Sequence, residues 1–65
     1  MNQGIIKHVN PDAGFGFIRQ DSGGDLFFHF RQMLSTGTPQ VDQRVSFDVG
    51  ASRDGKRRAE RVRIL

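Results

Sequence analysis

The chain has 65 residues, 10 of them Lys or Arg and 7 Asp or Glu, with six Phe and no Trp, Tyr or Cys; it is long enough for one domain, residues 1–65, with a modest core, and disulfides and thiolate metal sites are excluded. The formal charge of +3 is unevenly placed: residues 1–50 hold four basic and five acidic side chains, residues 51–65 six basic and two acidic. Such a basic segment suits a polyanionic partner, and equally an edge strand guarded against aggregation.

Gly4 to Val9 reads as a first strand over about residues 3–9, with Ile6 and His8 on one face and Ile5, Lys7 and Val9 on the other. Asn10–Gly14 is a turn, since Pro fixes φ and Asn, Asp and Gly tolerate tight conformations. The second strand runs over about 14–20: Phe15, Phe17 and Arg19 share a face, while Gly14, Gly16 and Ile18 take the other. Glycines there suit the tight coiling of a small barrel. After a turn at Asp21–Gly24, the third strand covers about 25–30, with Phe27 and His29 opposite Leu26, Phe28 and Phe30. Residues 31–43 are broken by Ser35, Thr36, Gly37 and Pro39; a helical turn is expected at Gln32–Leu34, with Met33 or Leu34 plugging the barrel. Arg44–Val49 alternates, with Val45, Phe47 and Val49 inward. Gly50–Gly55 is a hairpin loop with an Asp-Gly turn signal. Lys56–Ile64 is the last strand, Val62 and Ile64 facing in, Arg61 and Arg63 facing out. The expected fold is all-β: a five-stranded antiparallel barrel without a substantial helix.

Five of the six Phe fall within residues 13–30, in two runs that are apolar on both faces. Burying both faces would require cover on both sides, and no helix is present to provide it. The alternative is an open platform of rings on which bases stack. If the second and third strands pair through residues 21–24, Phe15, Phe17, Phe27 and His29 lie side by side. Lys7, Arg19 and the C-terminal arginines are then placed to track phosphates. Catalysis is poorly supplied. His8 and His29 are the only imidazoles, and no metal-ligand spacing is present. Gly14-Phe-Gly16 is too short for a phosphate-cradling loop. No enzyme activity, catalytic residue, metal or cofactor is expected. No segment reaches membrane-spanning length, and residues 1–7 lack a signal peptide's apolar stretch; a cytosolic protein without a membrane partner is expected.

These residues resemble a known family. Gly14-Phe-Gly-Phe-Ile18 is similar to the first ribonucleoprotein motif of the cold-shock domain, Lys-Gly-Phe-Gly-Phe-Ile, and Leu26-Phe-Phe-His-Phe30 to the second, Val-Phe-Val-His-Phe. Gly4, Lys7 and Asn10 fall where the family has Gly-x-Val-Lys-Trp-Phe-Asn, and Val45-Ser-Phe47 and Ala59-x-x-Val62 extend the likeness over essentially the whole chain. The resemblance implies an OB-type barrel of the bacterial single-domain kind, binding single-stranded RNA and DNA. It further implies RNA chaperoning and regulation of transcription or translation in cold stress. By position it carries binding roles onto Lys7, Phe15, Phe17, Phe27, His29 and Phe30. The chain departs from the pattern where His8 and Val9 replace Trp-Phe and Ala13 replaces Lys, and Thr38 stands near a usual loop Phe. The connection before the fourth strand is about two residues shorter than usual. Less stacking is expected, with more of the binding carried by charge. The candidate nucleic-acid-binding set is Lys7, His8, Phe15, Phe17, Arg19, Phe27, His29, Phe30, Arg57, Arg58 and Arg61. The competing reading is a monomeric or dimeric barrel whose aromatic patch docks a peptide or a second copy.

Overall fold

The computed structural model describes residues 2–35, 37–51 and 54–65. Five strands form: β1 (Asn2–Asn10), β2 (Phe15–Gln20), β3 (Asp25–His29), β4 (Arg44–Ala51) and β5 (Arg57–Ile64). Each contributes to one core made of Ile6, Ile18, Leu26, Phe28, Val45, Phe47, Ala59 and Val62, all buried. Single strands with one apolar face must bury it against another element. Here the sheet closes on itself in the order β1-β2-β3-β5-β4.

Four of the five pairings are antiparallel, whereas β3 and β5 run parallel where Phe27 meets Arg58. The expectation of a wholly antiparallel barrel is corrected here, and the reason is parity. A ring with an odd number of strands cannot alternate direction all the way round, so one pair must be parallel.

Two irregularities change which side chains face the core. In β1 the register shifts between Ile6, which pairs with Ile18, and His8, which pairs with Phe17. Lys7 is the extra residue of a bulge, which reverses the alternation beyond it. Ile6 and His8 therefore do not share a face: Ile6 is buried and His8 exposed. Val9, paired with Gly16, packs against the core. A second shift lies in the β4–β5 pair, where Phe47 of β4 faces both Arg61 and Val62, so that β5 carries the extra residue. Val45, Ser46 and Phe47 are buried in succession, while Val49 keeps 39% of its surface exposed. β4 thus supplies two apolar core residues, where strict alternation implies three.

The helical turn lies at Phe30–Gln32, two residues earlier than expected. Met33 is the plug: it packs against the core and bridges Val62, whereas Leu34 is 52% exposed. Ile64 is half-buried against the core. Of the expected hairpin loop, Gly50 and Ala51 belong to β4, Asp54 and Gly55 form a turn, and Ser52 and Arg53 lie outside the described residues. Among the described residues no helix is long and apolar enough to cross a membrane.

At Gly16 the backbone of β1 and the core ring of Phe28 come close. A Cβ there would sit 2.5 Å from the His8 carbonyl oxygen and 2.9 Å from the Phe28 ring. The clash involves backbone, so Gly16→Ala should destabilise the domain by about 1–3 kcal/mol. Phe28→Ala should cost more, roughly 3–5 kcal/mol, because it empties the centre of the core. Urea denaturation of the parent and both variants checks this order.

Candidate nucleic-acid interface

The pairing of β2 with β3 assembles the site. Phe15 lies opposite His29, Phe17 opposite Phe27 and Arg19 opposite Asp25, all on the outer face. Directly opposed side chains on one face of an antiparallel pair are close enough to touch. Phe27 is the hub. Its ring stacks on Phe15 with centroids 5.3 Å apart, meets Phe17 edge-on at 5.8 Å and meets His29 edge-on at 4.8 Å. Phe15 and Phe17 meet edge-on at 6.0 Å. The β1 bulge adds a fifth ring: His8 lies 6.2 Å from Phe17, tilted by 42°. Phe15, Phe17, Phe27 and His29 are half-buried and His8 is exposed, so the rings prop one another up and still present surface to solvent. Edge-to-face and offset contacts of this kind are the preferred aromatic geometries.

Cations border the rings on two sides. Arg58 lies opposite Phe27 across the β3–β5 pair. Arg57 and Arg58 join Phe27, Asp54 and Lys56 in lining a cleft of about 220 Å³. At the other border Lys7 is exposed. Arg19 shares the platform's face, its Nε 3.6 Å from Oδ1 of Asp25, with both side chains more than half exposed. An exposed pair of this kind contributes little, about 0–1 kcal/mol.

Two candidate residues are not brought to the platform. Phe30 begins the helical turn, and its ring stacks on the buried Phe28 with centroids 6.1 Å apart. Arg61 lies on the β4–β5 wall, across the barrel from β2. Its Nε donates to Oδ2 of Asp48 at 2.7 Å, and it lines a separate cleft with Leu34, Ser46, Phe47 and Arg63. Its backbone takes φ +49°, a left-handed value that alternation along a strand does not foretell. Sequence reasoning passed over Lys56 and Asp25. Lys56 adjoins the arginine pair, and counting outward from the residue 21–24 turn would have set Asp25 against Arg19. Among the described residues no group of three or more His, Cys, Asp or Glu could hold a metal.

Comparison with known proteins agrees with this geometry. Residues 2–65 match the 'Cold-shock' DNA-binding domain. The chain is 47% identical over 51 residues to cold shock protein CspC of Bacillus subtilis, covering 75% of this chain and 77% of that one. It is 44% identical over 64 residues to cold shock-like protein CspG of Shewanella violacea, covering 94% and 91%. In structure it is similar to drosophila Unr CSD456, with a TM-score of 0.81 at 32% identity. That match covers 98% of this chain and only 26% of the longer one. A five-stranded OB-type barrel, two ribonucleoprotein-like motifs paired on one face, and a family match over nearly every residue lead to one conclusion: the chain belongs to the cold-shock domain family of nucleic-acid-binding proteins.

Proposed function

We propose that the protein binds single-stranded RNA and DNA by stacking bases on Phe15, Phe17, Phe27, His29 and His8, and acts as a non-catalytic RNA chaperone in the cytoplasm during cold stress. The observation that carries this reading is the five-ring array on β1–β3, bordered on β5 by Arg57 and Arg58. Among the described residues the ion pairs join Arg19, Arg44 and Arg61 to aspartates; neither Arg57 nor Arg58 takes part in one. Bases offer a π-face to such rings with little sequence preference, and only when unpaired. A ligand that binds only the open strand shifts a hairpin towards opening by mass action, so nucleotide hydrolysis is not required. Arg57 and Arg58, with Lys7, supply the phosphate contacts. Phe30 contributes by supporting Phe28 beneath the platform.

Phe15→Ala, Phe17→Ala and Phe27→Ala should each weaken binding of labelled oligo-dT or oligo-U by roughly 1–3 kcal/mol. Each should cost less folding stability than Phe28→Ala. Duplex of equal length should bind more weakly than single strand; equal affinity would indicate plain polycation behaviour. Loss of folding without a loss specific to binding would refute the platform.

Charge gives a separate check. Each neutralised phosphate adds about 0.7 to the slope of log affinity against log salt for single strands. The double variant Arg57→Gln, Arg58→Gln should therefore flatten the slope by about 1.4. Arg61→Gln, on the opposite wall and held by Asp48, should leave it unchanged. A slope that is shallow in the parent would favour an apolar protein-docking surface.

A further inference from the structure

The line of outward positions does not end at the rings. His8 faces Phe17, Phe17 faces Phe27, Phe27 faces Arg58 and Arg58 faces Gly50, across all five strands. Because β3 and β5 run parallel, two residues further along each strand bring Glu60 level with His29. Glu60 is half-buried, and its carboxylate lies over Gly50, where a Cβ would run into Cδ and both oxygens. The bare Gly50 is thus the seat that keeps this carboxylate on the surface beside Arg58. Among the described residues the ion pairs engage Asp21, Asp25 and Asp48 and leave Glu60 without a cation. An unpaired carboxylate therefore stands where Phe27 and His29 give way to β5.

A carboxylate at the edge of a phosphate-binding surface repels the strand unless a hydrogen-bond donor meets it. The bases of a single strand carry such donors on edges that pairing no longer occupies. Guanine is the one base with two of them side by side, N1–H and N2–H, which match the two oxygens of a carboxylate. Thymine and uracil flank their single N–H with carbonyl oxygens, and adenine and cytosine set their amino group beside a ring nitrogen that accepts. We propose that Glu60 makes this face selective for guanine, its carboxylate accepting N1–H and N2–H of a base held at Phe27 and His29, with Arg58 alongside to hold the phosphate. The inference rests on the stacking reading above and adds a base preference that stacking alone does not give. Asp25, the carboxylate at the other end of β3, is already paired with Arg19.

The test is the affinity for labelled dT heptamers in which one position at a time carries dG, deoxyinosine, dA or dC. DNA has no 2′-hydroxyl to donate in place of a base. At one position dG should bind the parent about tenfold tighter than dT, the scale of a bidentate base contact. Deoxyinosine keeps the purine ring and N1–H but lacks the N2 amino group, and should keep only part of that gain. At that position dA and dC should bind no tighter than deoxyinosine. Glu60→Gln keeps the shape and loses one acceptor oxygen, so the dG-to-deoxyinosine affinity ratio should fall towards one. Gly50→Ala keeps the carboxylate but pushes it off its seat, and should lower the same ratio. A parent that binds dG and deoxyinosine alike at every position overturns the proposal, as does an unchanged ratio in Glu60→Gln. Glu60→Gln tightening all heptamers by one factor also overturns it, since the carboxylate then only repels phosphates. Phe27→Ala on plain oligo-dT separates this from failure of the platform. If that variant binds as the parent does, the stacking reading is wrong. If it binds weakly while the parent shows no guanine preference, only the base reading is lost.

Discussion

The register of β2 against β3 is the constraint on which the rest of the molecule depends. Side chains alternate with a period of two, so a slip by one residue would exchange the two faces. A slip of β3 would turn Phe27 into the barrel and Phe28 out to water. The turn at residues 21–24 prevents this. Gln20 N–H donates to the Gly24 carbonyl at 2.9 Å and Gly23 N–H to the Gln20 carbonyl at 2.9 Å. Gly23 and Gly24 take φ values of +100° and +82°, which residues with a Cβ rarely adopt. The inner face reinforces the same register: Ile18 meets Leu26, and the bare Gly16 makes room for the Phe28 ring. Core and platform are two sides of one pairing, and the burial of Phe28 holds Phe27 in the light.

Charge is distributed by pairing rather than by count. Arg44 is tied to Asp21 at 2.8 Å and Arg61 to Asp48 at 2.7 Å, both on exposed surface. Exposed pairs of this sort add little to stability. Their effect is on the field: they mute two arginines that lie away from the rings, and Arg57 and Arg58 dominate the border beside Phe27. A modest net charge of +3 can in this way be focused on one side of a small barrel.

What could be read from the sequence follows from where the backbone is regular. β2 and β3 carry no bulge, so simple alternation placed every one of their rings on the correct face. β1 and β5 each carry one, at Lys7 and at Arg61–Val62, and a bulge leaves no mark in residue chemistry. Counting by twos therefore puts His8 with Ile6. In β5 it cannot foresee the left-handed φ of +49° at Arg61, which sets that side chain's direction. The parallel β3–β5 pair is of another kind: it follows from five strands in a closed ring, and needs no residue to announce it. Phe30 lies on the inner face by alternation and in the binding set by resemblance; its half-buried ring stacks on Phe28.

The bulge at Lys7 also explains why the two residues after it have different freedom to vary. His8 points to solvent beside Phe17, and Val9 packs against the core opposite Gly16. A change at position 8 alters the outer ring row and leaves the core alone. A larger side chain at position 9 meets a core already filled by Phe28, where added volume is destabilising. Positions 8 and 9 are therefore two separate sites, one in the outer ring row and one in the core. Phe28 and Phe47, with Phe30 packed against them, supply the aromatic bulk of that core in a chain with no Trp.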